Sequence, residues 1–347
     1  MADNPFLEIE QRLMGDIWTS SEPMDNLTVL CDDFGSRFPG TAGERQAAEF
    51  FERKFREYGC RNAHLEPYDY MGWTRGEATL TILSPGKREL PCISLPMCPP
   101  ADVEADFVDV GNGAPADFER RQAELAGGLV MASSKPPVGL GRSVHRTEKY
   151  HRSLLGGAAG FIFMNQYPGL GPQTGSIAFD REALIPGVSI AKEEGEYLRR
   201  LARRHGKVRL RLRTTDRSET RESWNVLAEL PGRTHSDEWV MLGCHYDGHD
   251  IAQGAEDPAS GAVAVLEAAR VLAKYAAEDL GCGVRFIEFG TEEIGLIGAY
   301  RYAAAHDAEL DRLRFLINMD AAGGGGRKGL SVNQWPELTP FFERCAQ

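Results

Sequence analysis

Three apolar runs each end in residues that carry chemistry, and this regularity constrains the fold more than any other feature of the chain. The run 239–244 leads into His245-Tyr246-Asp247, the run 284–289 into Gly290-Thr291-Glu292-Glu293, and the run 313–319 into Asp320. Short apolar runs separated by helical stretches read as buried parallel strands of an α/β fold. In open sheets of that kind, ligands sit in the crevice beyond the carboxyl ends of the strands. A fourth acid, Asp257, lies in the Gly-rich turn 254–258, ahead of a helix whose inner face is Val263, Leu266, Ala269 and Val271 or Leu272. One imidazole and several carboxylates are therefore expected on one rim, a donor set that suits zinc and its neighbours. The expected architecture is a mixed, centrally parallel sheet sandwiched by helices.

Composition narrows the class. A length of 347 residues suggests more than one domain, and 42% hydrophobic with 26% charged residues is ordinary for a globular protein with a sizeable core. The net charge of −12 argues against nucleic acid as a partner, because phosphate binding needs concentrated Lys and Arg. Met1-Ala2-Asp3-Asn4-Pro5 has no basic segment leading into an apolar stretch, so no secretory signal is expected. No apolar run approaches the ~18 residues of a membrane span. The cysteines, 7 in all, are scattered and form no Cys-x-x-Cys pair, so reduced thiols in the cytoplasm are the expectation.

Along the chain, Thr41 with Glu44 makes a capping box, and Ala47, Ala48, Phe51, Phe55 and Tyr58 share one helical face that Gly59 ends. An alternating run at 78–83 precedes a break at Pro96, Pro99 and Pro100. Short β-type runs then dominate (128–132, 160–164 and 185–190), with a helical stretch at 150–159. The polar run 214–222 reads as a linker, after which strands and helices alternate to the end. The organisation expected is one domain built from residues 1–100 and 213–347, interrupted by a β-rich insert at 101–212.

Taken singly, each site residue has an ordinary reading. His245 is a core histidine satisfied by hydrogen bonds, Asp247 a turn former, and Asp257 a helix N-cap. Glu292 and Glu293 are a solvated pair at a helix start, and Asp320 is an acid in the loop at Gly323-Gly324-Gly325-Gly326. Their joint placement at strand ends and a Gly turn is what speaks for a site. Adjacent carboxylates also point in different directions, so one can hold metal while the other faces a substrate.

As a series, His245-Tyr246-Asp247, the turn 254–261 around Asp257, the segment 289–296 around Glu292-Glu293, and Asn318-Met319-Asp320 resemble the signature segments of the co-catalytic zinc exopeptidases. The loop Gly35-Ser36-Arg37-Phe38-Pro39-Gly40-Thr41 is similar to that family's N-terminal segment. The stretch Leu154-Leu155-Gly156-Gly157-Ala158-Ala159-Gly160-Phe161 resembles the protease-associated domain inserted in many members. The resemblance implies a zinc exopeptidase fold carrying such an insert, two zinc ions in a complete site, and a peptide substrate. It implies His245, Asp257, Glu293 and Asp320 as metal ligands, with Asp257 bridging. Glu292 becomes the general base and Asp247 the partner that orients His245. A non-catalytic scaffold of the same fold is the competing reading, disfavoured because a scaffold has no reason to keep a base beside a bridging acid. A serine hydrolase is a poor third, since no G-x-S-x-G elbow is present.

The chain departs from the family pattern in two places. Pro258 follows the bridging Asp; members of the resembled family tend to hold this bond cis, and because proline lowers the cost of a cis bond, the resemblance implies a cis Asp257–Pro258 peptide. Family members supply a final His ligand well downstream of the acid matching Asp320, whereas residues 321–347 contain no His. The sequence is therefore expected to be a C-terminally truncated product. His249 is a weak candidate for a substitute ligand and more ordinarily a loop residue near the pocket. His306 is expected on an exposed helix face, and His145 and His151 in the insert.

Overall fold

The computed structural model of the chain describes residues 6–275, 280–326 and 328–345. Residues 1–5, on which the absence of a leader was read, lie outside them. Two sheets organise the molecule. The first has the order β1 (Arg61–Thr74), β10 (Arg217–Leu230), β12 (Cys282–Phe289), β11 (His235–His245) and β13 (Leu313–Asn318). β11 runs parallel to both β12 and β13, while β10 is antiparallel to β12 and β1 to β10. The expected mixed sheet with a parallel centre is thus present.

Helices cover both faces of its centre, which is why β11 and β12 are apolar on both sides. On one face Leu242, Cys244, Val284 and Phe286 pack against Phe51 and Phe55 of the helix Ala42–Glu57, and against Val265, Leu266 and Ala269 of the helix Gly261–Tyr275. On the other, Met241, Ile287 and Phe289 meet Tyr302 of the helix Ile297–Ala305. Register then levels the strand ends: His245 stands opposite Phe289, and Gly243 opposite Asn318. The residues just beyond each strand consequently share one rim.

β13 differs from expectation. It pairs with β11 as a parallel strand, but it is the edge of the sheet among the described residues, with Phe315 and Leu316 exposed. The apolar run reported a strand correctly without reporting how deep it lies.

The second sheet has the order β3 (Arg88–Leu90), β2 (Ala78–Ser84), β9 (Arg209–Thr214), β5 (Ala101–Asp109), β6 (Leu129–Ser133), β7 (Gly160–Met164), β8 (Gly187–Ile190) and β4 (Cys92–Ser94). This β-rich layer begins at Ala78, ahead of the boundary drawn at residue 100, because the Pro-rich break is a loop between β4 and β5 inside it. The run 214–222 is no linker either. Most of it belongs to β10, which pairs with β1 from Arg217 opposite Thr74 to Glu229 opposite Arg61. The far half of this ribbon exposes Arg217, Glu219 and Thr220, so a polar sequence can pair there without covering a core. No helix among the described residues is long and apolar enough to cross a membrane.

Candidate metal centre and its surroundings

β11 delivers His245 to the rim, buried to 3% exposure. Its Nδ1 donates to the main-chain carbonyl of Asp247 at 3.0 Å, which fixes the ring and leaves the Nε2 lone pair turned outward. The Asp247 carboxylate lies farther from Nδ1, at 3.6 Å. Residue 247 therefore meets the imidazole chiefly through its backbone. Its carboxylate, fully buried, accepts instead from the backbone N–H groups of Glu292 at 2.9 Å and Glu293 at 3.1 Å. One side chain thus ties the end of β11 to the turn after β12.

Nε2 of His245 is 3.1 Å from Oδ1 of Asp257 and 3.4 Å from Oδ1 of Asp320. Donors of these three residues lie within 4.8 Å of one another. Two ligands each about 2.0 Å from a tetrahedral zinc are themselves about 3.3 Å apart, so the spacing and donor types fit one ion. Asp257 reaches this place from an irregular turn, with φ −117° and ψ 106°, and its bond to Pro258 is cis, as expected. Asp320 is brought close because residue 261 is glycine: a Cβ there would sit 1.8 Å from the Met319 carbonyl oxygen and 2.8 Å from Cys244 Sγ.

Electrostatics agree with a cation at this point. Burial opposes a charge on His245, but hydrogen bonding to Asp247, Asp257 and Asp320 outweighs it and holds the imidazole pKa well above its usual range. Hydrogen bonding to His245 in turn lowers that of Asp257. The acids demand a positive charge among them, whether a proton or a metal.

Glu293 lies outside this three-residue cluster. Its Oε2 is 3.0 Å from Nε2 of His249, and its buried Oε1 has no hydrogen-bond partner among the described residues. A buried acceptor left open beside His249 is compatible with a second cation. His249 itself stands with Glu293 rather than with His245. Glu292 lines two adjoining cavities. One, of about 240 Å³, is bounded by His245, Phe289, Leu296 and Asp320; the other, of about 440 Å³, by Arg146, Phe179, His249, Glu293 and Tyr300. Burial pushes the Glu292 carboxyl up to about 7.

Three contributors were not anticipated in these roles. Arg37, only 1% exposed, donates to the carbonyls of Tyr246, Gln253 and Gly254, as well as Leu30 and Gly35. It clamps both ends of the loop between His245 and Asp257. The signal was a charged residue inside a Gly- and Pro-bounded turn. Glu44, read as half of a capping box, accepts from Ser223 and Gly40 beneath the site. Ser223 connects through Tyr68 to Thr291, the residue before Glu292. Arg146 comes from the β-rich layer, and nothing in the sequence set it apart from other helix-start arginines. His306, expected to be exposed, stacks on Tyr302 at 4.4 Å and meets Glu66 at 2.7 Å, because β1 runs beneath that helix end.

Comparison with known proteins agrees with this picture. Residues 225–347 match the model of peptidase family M28. The match spans the segment that carries His245, Asp257, Glu292, Glu293 and Asp320. It is 26% identical over 309 residues to carboxypeptidase Q of Mus musculus, which covers 86% of this chain and 64% of that protein. Among solved structures, an aminopeptidase from Aneurinibacillus sp. strain AM-1 is 28% identical, with 87% of this chain and 70% of that one covered and a TM-score of 0.66. A peptidase M28 precursor from Shewanella amazonensis is 25% identical, with 91% and 74% covered and a TM-score of 0.73. The chain thus spans slightly under two thirds of the length of the carboxypeptidase Q it matches.

Proposed function

We propose that the protein is a zinc-dependent exopeptidase that hydrolyses the terminal bond of short peptides. The observation that carries the reading is the convergence of His245, Asp257 and Asp320 beside Glu292. His245, Asp257 and Asp320 would hold one ion, and Asp257 with Glu293 would contribute to a second. Zinc bound there would supply Lewis acidity, polarising the scissile carbonyl and lowering the pKa of water. Glu292 takes the proton from that water and returns it to the leaving amine, a task suited to a carboxyl whose pKa is near neutral. Asp247 keeps Glu292 and Glu293 in place through their backbone N–H groups, and the β-rich layer, read as protease-associated, shapes access.

Arg146 favours recognition of a free carboxylate. Its guanidinium is held by the carbonyls of Ser176 at 2.9 Å and Thr174 at 3.5 Å, and no carboxylate pairs with it among the described residues. It lines the cavity that also holds Glu292 and Glu293. A half-buried guanidinium with no ion-pair partner among the described residues can recruit an anion. The reading is therefore a dipeptidase or carboxypeptidase. Kinetics on a dipeptide and its C-terminal amide with zinc-loaded protein test it. Arg146→Ala is expected to cost about 1.5–3 kcal/mol on the dipeptide, roughly 10–100-fold in kcat/KM, and little on the amide. Equal effects on both would favour recognition of the free amine.

A further inference from the structure

The loop that carries His249 is fastened to the β-rich layer through Asp250, which meets Arg75 and Thr174. We propose that this pair, Arg75 with Asp250, is a positioning device that sets where Arg146 stands relative to Glu292 and Glu293. The inference rests on the carboxylate reading of Arg146 given above.

Arg75 follows the last residue of β1, where the ribbon hands the chain to the β-rich layer. Its Nε meets Oδ2 of Asp250 at 2.6 Å and its Nη2 meets Oδ1 at 2.9 Å, a two-pronged contact with both side chains largely covered. The same guanidinium donates to the Ser94 carbonyl at the end of β4, and lies 3.4 Å from the hydroxyl of Thr174. That hydroxyl also reaches Oδ1 of Asp250 at 3.4 Å. Thr174 is in turn one of the residues whose carbonyls hold Arg146. Next to it, Gly175 adopts φ +131°, and a Cβ there would sit 2.1 Å from the Arg146 Cζ, so the guanidinium lies directly across bare backbone. On the other side, Asp250 adjoins His249, which meets Glu293 at 3.0 Å. A continuous path therefore runs from Glu293 through His249, Asp250, Arg75 and Thr174 to Arg146.

The layer and the body also share an apolar contact, in which Phe38, Tyr70, Trp73, Ile294 and Ile297 pack with Leu95, Met97 and Ile177. Apolar contact is non-directional and keeps the parts together without fixing their register. A planar guanidinium gripping a carboxylate at two points is directional. Loss of the pair should therefore leave the protein folded while loosening the placement of Arg146.

The test compares glycyl-leucine with its C-terminal amide on zinc-loaded wild type, Asp250→Asn, Arg75→Lys and the double variant. Binding of both probes to Glu292→Gln protein and its Asp250→Asn derivative, read by calorimetry, gives the same ratio without turnover. The preference for the free carboxylate is expected to fall about tenfold in each single variant and no further in the double, since both act on one path. Zinc content, thermal midpoint and kcat/KM on the amide should stay at wild-type values. An unchanged preference in Asp250→Asn, with the preference abolished in Arg146→Ala, would overturn the positioning role and leave the carboxylate reading standing. A wild type without preference, or one that Arg146→Ala does not alter, would overturn both.

Discussion

Replacing Glu44 by Gln should make the protein more resistant to unfolding as pH rises, an effect whose size follows from where Glu44 sits. The side chain is fully buried beneath the Glu292 turn, and burial pushes its carboxyl from 4.5 up to about 8. Below pH 4.5 the folded and unfolded chains both hold this proton, and burial costs nothing. Between 4.5 and about 8 the unfolded chain releases the proton while the folded protein retains it, so stability falls as pH rises. The slope is about 1.4 kcal/mol per pH unit, which amounts to roughly 3 kcal/mol at pH 7. Gln carries no such linkage. Its amide cannot accept from both Gly40 and Ser223 as the carboxyl does, but that penalty is the same at every pH. The readout is therefore the slope and not the intercept. Urea denaturation of metal-free wild type and Glu44→Gln between pH 4 and 8.5 should show a stability difference that is flat at the acid end, climbs by about 3 kcal/mol to pH 7 and levels near pH 8. A difference that stays constant between pH 5 and 7.5 would mean that Glu44 is ionised in the folded protein, and the reasoning would fail.

Two further substitutions bear on the site and on the core. Asp247→Asn places an amide N–H₂ against one of the N–H groups of Glu292 or Glu293, and losing that charge-assisted bond is expected to cost about 1.5–3 kcal/mol in the placement of the pair, seen as a kcat at least tenfold lower with the fold intact by circular dichroism. Leu266→Ala empties a fully buried position between the helix Gly261–Tyr275 and the sheet. It should lower unfolding free energy by about 2–5 kcal/mol in denaturant titrations while zinc binding is kept.

What could be read from the sequence was whatever a strand end encodes locally. The runs before His245, Glu292 and Asp320 announce buried strands, and the register of a parallel sheet then brings their ends level. The cis bond at Asp257–Pro258 was legible because the resembled family holds this bond cis and proline lowers the cost of doing so. Long-range pairing was not legible. The charged stretch at 217–222 has no core to cover, so its strand exists only through β1. Arg37, Arg75 and Arg146 each act on carbonyls or acids far along the chain, and a sequence does not show which arginine will meet them. Glu44 was read correctly as part of a helix start, yet the burial that gives it a second role comes from Ser223 and the packing above it. The depth of β13 was misjudged for the same reason, because apolar character reports a strand and not its neighbours.

The most direct test is to measure zinc on protein reconstituted and dialysed free of loose metal, comparing wild type with His245→Ala by elemental analysis. The expected result is at least one tightly held zinc per wild-type chain, with one ion fewer in the variant. Zinc content that is absent in wild type, or unaltered by removing His245, would contradict the metal centre on which the proposed chemistry depends.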